Sequence, residues 1–147
     1  MTLALSLSAR AAMLDGFEAF MVTGASQASL TVYQGNTSLC VFNLGASSTG
    51  TPFATAVSDG MALSATLDAP IANTGTSVAG KANRFVIVNQ TSGGTALSGT
   101  ISLVGGGGDI QVPNVTVTAS STQNLNALTL RLAATGLLSV EASLTLV

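Results

Sequence analysis

The pattern of apolar and polar positions changes period once along the chain. In "LSARAAMLDGFEAFM" apolar residues recur at helical spacing. Ala9, Met13, Phe17 and Phe20 share one face, with Ala12 and Met21 beside them, while Asp15 and Glu18 fall on other faces. Ser8 is placed to cap this helix and Gly24 to stop it. A helix this short persists only when its apolar stripe docks on something. Such a stripe marks core or subunit packing rather than a cofactor box.

After Ala25 the period becomes two. "ASLTVYQG" alternates on Ala28, Leu30 and Val32, and "MALSATLDA" on Met61, Leu63, Ala65 and Leu67. "SLCVFNLG" is apolar on both faces and predicts a central strand. "NRFVIVNQ" is a β-branched run, and "ALSGTISLV" alternates on Leu97, Ile101 and Leu103 with Gly99 in phase. "DIQVPNVTVTA", "NALTLRLAA" and "LLSVEASLTLV" complete about eight strands, each bounded by Gly, Asn, Ser or Pro. The pattern predicts a mainly all-β fold, an antiparallel β-sandwich or jelly-roll-like domain with one short N-terminal helix. Residues 1–147 then form one domain, with 1–24 as an arm and helix and 25–147 as the sandwich.

Two breaks stand out. In "DIQVPNVTV" Ile110 and Val112 share one parity and Val115 and Val117 the other, so Pro113 and Asn114 predict a bulge or an edge kink. "GASSTGTPFATAVSDG" reads as a surface loop or an extended arm reaching a neighbour. The closing "LTLV" predicts that the C-terminal residues are tied into a sheet.

Composition sharpens this picture. Charged residues make up only 7% of the 147, against about a quarter in an average protein. The formal net charge is −2, and the four cations Arg10, Lys81, Arg84 and Arg131 are scattered. Nucleic-acid binding needs several phosphates neutralised together, so none is expected. A surface so poor in charge is badly guarded against self-association, which suits a chain whose working state is an assembly. Cys40 is the single cysteine, so no intrachain disulfide is possible, and its apolar surroundings predict a core thiol. "MTLALSLSAR" lacks the positive stretch that opens a signal peptide, and no run reaches the length of a membrane span. The expectation is synthesis in the cytoplasm and no membrane association.

"LVGGGGDIQVPNVTV" raises the question of a phosphate-cradling loop. A P-loop ends in Gly-Lys-Ser/Thr and opens a helix. Here no lysine follows, and a strand pattern takes the helix's place. The flanks predict a β-hairpin instead, with Asp109 bonding back to turn amides. The chain has no histidine, so Ser-His-Asp and Cys-His arrangements are absent. Zinc ligands beyond Cys40 are lacking, and Asp59 and Asp68 are isolated turn acids. No metal, no cofactor and no catalytic residue is expected. A small glycan hydrolase would need a carboxylate pair drawn from six scattered acids. Arg84 and Arg131 are expected to face outward or to pair with acids such as Glu141.

Several of these segments together resemble a family of small structural proteins encoded by tailed bacteriophages. "LSLSARAAMLDGFEAF" is similar to that family's "ARNAMLDA" opening, and "LTVYQG" (Leu30 to Gly35) to its "LRIYTG" strand. "RFVIVNQTSGG" (Arg84 to Gly94) takes the place of its "FRVVDSDG" strand. "GTISLVGGGGDIQVPNVTV" (Gly99 to Val117) is similar to its "G-T-V…GGGGDM-x-L-x-N" segment, and "LTLRLAA" or "SLTLV" to its closing strand. Here the middle section is reshaped and the C-terminal portion is longer. The resemblance implies a virion component on the capsid surface, made in the host cytoplasm. Its leading form is a decoration or cement protein, a homotrimer, that binds and stabilises the major capsid protein lattice. The alternative is a tail, neck or head-fibre-associated structural or adhesion protein. The expected assembly contacts are Ala9, Met13, Phe17 and Phe20 on the helix and Pro52 and Phe53 in the long loop. Phe17→Asp is the direct probe of such contacts.

Overall fold

The computed structural model describes residues 3–22, 28–44, 57–58, 62–66, 70–89 and 94–147. These residues form an all-β domain with a single N-terminal helix among them. Helix α1 spans Leu7–Val22. The strands in chain order are β1 Ala28–Gln34, β2 Thr37–Asn43, β3 Val57–Ser58, β4 Ala62–Thr66, β5 Ile71–Ala72 and β6 Gly80–Lys81. β7 Arg84–Asn89, β8 Thr95–Leu103, β9 Ile110–Val112, β10 Thr116–Val117, β11 Asn124–Ala133 and β12 Leu138–Thr145 follow. One sheet runs β2-β1-β7-β8-β9 and the other β12-β11-β4-β3, with β5 also paired to β11 and β10 paired to β6 apart from both. Leu30, Val32, Phe42, Phe85 and Ile87 of the first sheet and Leu125, Leu128 and Leu130 of the second share one buried cluster. The arrangement is sandwich-like.

The strand reading from "ASLTVYQG" holds in register, with Ala28, Leu30 and Val32 fully buried. Burial is not confined to that face, because Ser29 and Thr31 are buried as well. β1 is thus enclosed on both faces. β2, predicted central, is instead the last strand of its sheet. Its second apolar face has another cause: the 74–78 segment runs along its outer edge. Thr74 N–H donates to Val41 O at 2.7 Å and Val78 N–H to Leu39 O at 2.8 Å.

The parity slip at Pro113 and Asn114 is not a bulge but a kink at the end of an edge strand, and it carries the chain from one sheet to another. β9 ends at Val112 on β8, and β10 pairs with β6 (Thr116↔Lys81, Val117↔Gly80). Asn114 makes the corner. Its Oδ1 accepts from Thr116 N–H at 3.0 Å, and its Nδ2 donates to Leu146 O at 2.7 Å.

The C-terminal residues are tied in as expected, through side chains as well as backbone. Leu146 is buried. Gln123, with no exposed surface, accepts from Val147 N–H at 2.6 Å and donates from Nε2 to Val147 O at 2.8 Å. Buried polar groups are tolerated only when paired in this way.

α1 bridges the two sheets, touching β7 and β8 of one and β3, β4 and β11 of the other. Its cap is Ser6 rather than the expected Ser8, since Ala9 N–H donates to Ser6 Oγ at 3.2 Å. Its inward face is Arg10, Leu14 and Phe17 (spacing i, i+4, i+7), about a quarter-turn round from the predicted stripe. Arg10 is only 4% exposed and donates from Nη1 to Leu132 O at 3.4 Å. Leu5 N–H donates to Ala134 O, and Asn89 Nδ2 to Phe20 O, so both ends of the helix are pinned.

Replacing Gln123 by Leu keeps the volume but removes the hydrogen bonds by which the buried Gln123 side chain holds Val147 N–H, Val147 O and Ser121 Oγ. The expected cost is about 1–3 kcal/mol. It should appear in urea unfolding as a lower midpoint at unchanged slope. Met13→Ala, at an exposed helix position, should stay within about 0.5 kcal/mol of the parent.

Candidate functional site

Two features of the sequence pointed to function: the helix stripe and the glycine run. α1 presents Met13, 52% exposed, and Phe20, 43% exposed, on its outer side, with Ala9 half-buried between stripe and core. Met13 and Phe20 are seven residues apart, so they lie nearly in line along the helix. Leu3 at 88% and Leu7 also stand in solvent near the helix start. Phe17 differs from its expected partners, because it packs against the core cluster. An aspartate at Phe17 would therefore loosen the helix from the sheets, and that variant would not isolate a contact. Met13 and Phe20 are the positions that can be changed without touching the core. Pro52 and Phe53 lie outside the described residues, as does Gly24.

The glycine run is not a hairpin. β8 and β9 pair in parallel, with Ile101↔Ile110, Ser102↔Gln111 and Leu103↔Val112. Residues 104–109 therefore reverse the chain twice, where a parallel connection ordinarily takes a dozen residues or more. The glycines make this possible. Gly105 and Gly107 have φ of +84° and +79°, values that side chains disfavour. A Cβ on Gly108 would meet Ser102 N at 2.8 Å.

Side chains fix the register that the glycines permit. Asp109 Oδ2 accepts from Thr100 N–H at 2.8 Å and from Thr100 Oγ1 at 2.9 Å. Ser102 Oγ accepts from Gly108 N–H at 2.9 Å, and Gln111 Oε1 from Gly105 N–H at 2.8 Å. Gly106 N–H donates to Leu103 O, and Asp109 N–H reaches Thr100 Oγ1 at 3.2 Å. A phosphate cradle needs amides aimed outward at the ligand. Here the amides of Gly105, Gly106, Gly108 and Asp109 are bonded inside the loop, and Asp109 adds a negative charge. The run is a structural device.

The remaining candidate groups follow. Cys40 is buried, and desolvation pushes its thiol up to about 12. Asp109 is held below the usual aspartate range, chiefly by the Thr100 amide and then by the Thr100 hydroxyl. Arg131 lies 3.9 Å from Glu141, the acid expected for it. Arg84 stacks its guanidinium 4.4 Å from the Tyr33 ring centroid and donates to Gly35 O. Asp109 and Glu141 line one open cleft between β9 and β12, together with Gln111, Val140 and Ala142. Among the described residues, no group of three or more His, Cys, Asp or Glu could hold a metal ion. None of their helices is long and apolar enough to cross a membrane.

Two outcomes follow from these environments. The Cys40 thiol should ignore Ellman's reagent in the folded protein at neutral pH and react fully in denaturant. Asp109 carries a depressed folded pKa, so its contribution to stability is complete above the usual aspartate value and fades as pH falls through the folded value. The stability gap between the parent and Asp109→Asn should therefore be widest near neutrality and shrink in acid. Urea unfolding at a series of pH values measures it.

Comparison of the chain with protein-family models, with curated proteins and with solved structures finds no match. Its function has to be argued from its own residues.

Proposed function

We propose that this chain is a bacteriophage virion structural protein, a capsid decoration or cement protein that binds the major capsid protein lattice and stabilises it. The observation that carries the reading is the outer side of α1. Met13 and Phe20 on that side, with Leu7 and Leu3 at and before the start of the helix, are large apolar side chains standing in solvent, and the helix is pinned at both ends to a nearly uncharged β domain. Exposed apolar side chains on a rigid support favour docking to another protein. The resemblance of residues 5–20 and 99–117 to phage structural proteins suggests the setting. Action is by binding alone: a protein that binds only the assembled shell stabilises it by mass action. A homotrimer at the junction of capsid subunits is the assembly we favour.

A tail, neck or head-fibre role uses the same kind of domain and differs in copy number. Quantitative mass spectrometry of purified virions separates the two. A stoichiometry close to that of the major capsid protein is expected, whereas a few copies per particle would move the chain to the tail or neck. Absence from the particle would overturn the virion reading. Met13→Asp with Phe20→Asp should leave the unfolding free energy, measured in urea, within about 1 kcal/mol of the parent and abolish binding to capsids lacking the protein. Retained binding by that folded variant would remove the helix from the contact surface.

A further inference from the structure

A cleft of about 200 Å³ lies between two loops. One wall is the segment covering the edge of β2, contributing Asn73, Thr76 and Ser77. The other is the approach to β11, contributing Ser120, Ser121 and Thr122. Every one of these side chains carries a hydroxyl or an amide, and none is charged.

The six divide into two sets. Asn73, Ser77 and Ser121 hold the walls together. Asn73 Oδ1 accepts from Gln123 N–H at 2.8 Å. Ser77 Oγ lies 2.9 Å from Thr118 O and 2.7 Å from Ser121 O. Ser121 Oγ lies 2.8 Å from Val147 O and accepts from Gln123 Nε2 at 2.9 Å. Thr76, Ser120 and Thr122 are exposed, and their hydroxyls bond to none of the described residues.

Ser120 is the one described non-glycine residue at positive φ, +61°. It is held there by its amide, which donates to Ser77 O at 3.0 Å across the cleft. Non-glycine residues in that region persist where surroundings enforce them, and they gather at ligand sites. The free hydroxyls thus sit on walls already fixed, and a ligand would not have to order them.

We propose that this cleft binds a neutral saccharide. A hydroxyl both donates and accepts, as each hydroxyl of a sugar does, so free hydroxyls on both walls match a polyol. The uncharged lining offers nothing to select a phosphate, a carboxylate or a cation, and its polarity disfavours an apolar ligand. The volume takes roughly six or seven waters at about 30 Å³ each, on the order of one sugar ring. No aromatic side chain lines the cleft to stack on the ring, so weak binding is expected. The proposal is independent of the virion reading and survives its failure.

The test is a backbone-amide NMR titration of the full chain with glucose, galactose and N-acetylglucosamine, each taken to about 50 mM to reach millimolar binding. Glycerol and glucuronate serve as comparators. The expected result is a saturable shift confined to residues 73–77 and 118–123 with at least one neutral sugar, and no such shift with glycerol. Ser120→Gly suits the left-handed backbone and should fold at least as stably as the parent. Paired with Thr122→Val, it should abolish the shifts. Ser120→Asn, which tolerates the same φ and keeps a hydrogen-bonding group, should retain part of them. No saturable shift with any neutral sugar would overturn the proposal. So would equal response to glycerol, a response to glucuronate alone, or shifts that survive in the folded double variant.

Discussion

The constraint on which this structure turns is the open edge of a β-sheet. An edge strand presents a row of unpaired N–H and C=O groups that invites another chain, and proteins usually guard it with Lys, Glu or Pro. With four cations and six acids in the whole sequence, this chain has little charge to spend. It covers its edges with its own backbone and with a few polar side chains. The 74–78 segment lies along β2. β9 and β12, the outer strands of opposite sheets, lie against one another. Asp109 receives the outward amide of Thr100 at the rim of β8, and Gln123 takes both backbone groups of Val147.

This solution changes what an assembly would be for. Low charge alone suggests strand edges awaiting burial against a partner. Where the edges of β2, β9 and β12 are already covered within the chain, what they leave for a partner is side-chain surface. Met13 and Phe20 on α1 are such surface, and Leu103 with Val104 beside the glycine loop and Leu137 at the β11–β12 turn are others. Docking through side chains leaves both sheets intact, which suits a component that joins a finished particle as a folded unit. Strand exchange would require the edges to open first.

Period-two alternation made most of the strands legible, because each side chain answers only to the face it lies on. β1, β4, β8, β11 and β12 stand where the alternation puts them, and β7 where the β-branched run does. What the pattern could not convey is who lies next to whom. "SLCVFNL" is apolar on both faces whether a strand is central or an edge roofed by a loop. "GTISLV" and "DIQV" alternate identically in a hairpin and in a parallel pair. The choice is made by Asp109 on Thr100 and Ser102 on Gly108, contacts that depend on three-dimensional closure. β5, β6 and β10 are two residues each, too short for any period. The helix was placed by its spacing, but its rotation was not. Arg10 turns inward because a carbonyl, Leu132 O, waits between the sheets, and hydrophobicity ranks an arginine outward. The hydroxyl cleft left no mark either, since Ser, Thr and Asn recur throughout the chain and only the fold selects the few that face each other.

The side chains that close the C-terminal edge also build the walls of that cleft. Ser121 serves Gln123, Val147 and the 118–122 loop at once, and Ser77 ties the opposite wall to the same loop. Stability and site therefore share a polar network, so changes at Gln123 and at Ser121 should be coupled rather than additive. Thr76 and Thr122 stand outside the network, and Ser120 joins it only through its backbone amide. Side-chain substitutions at these three positions can be read for binding separately from folding. Met13 and Phe20, exposed on the helix, permit the same separation for assembly. Each proposed surface thus has a set of residues that the fold does not need, and selection for function can act on them without cost to the core.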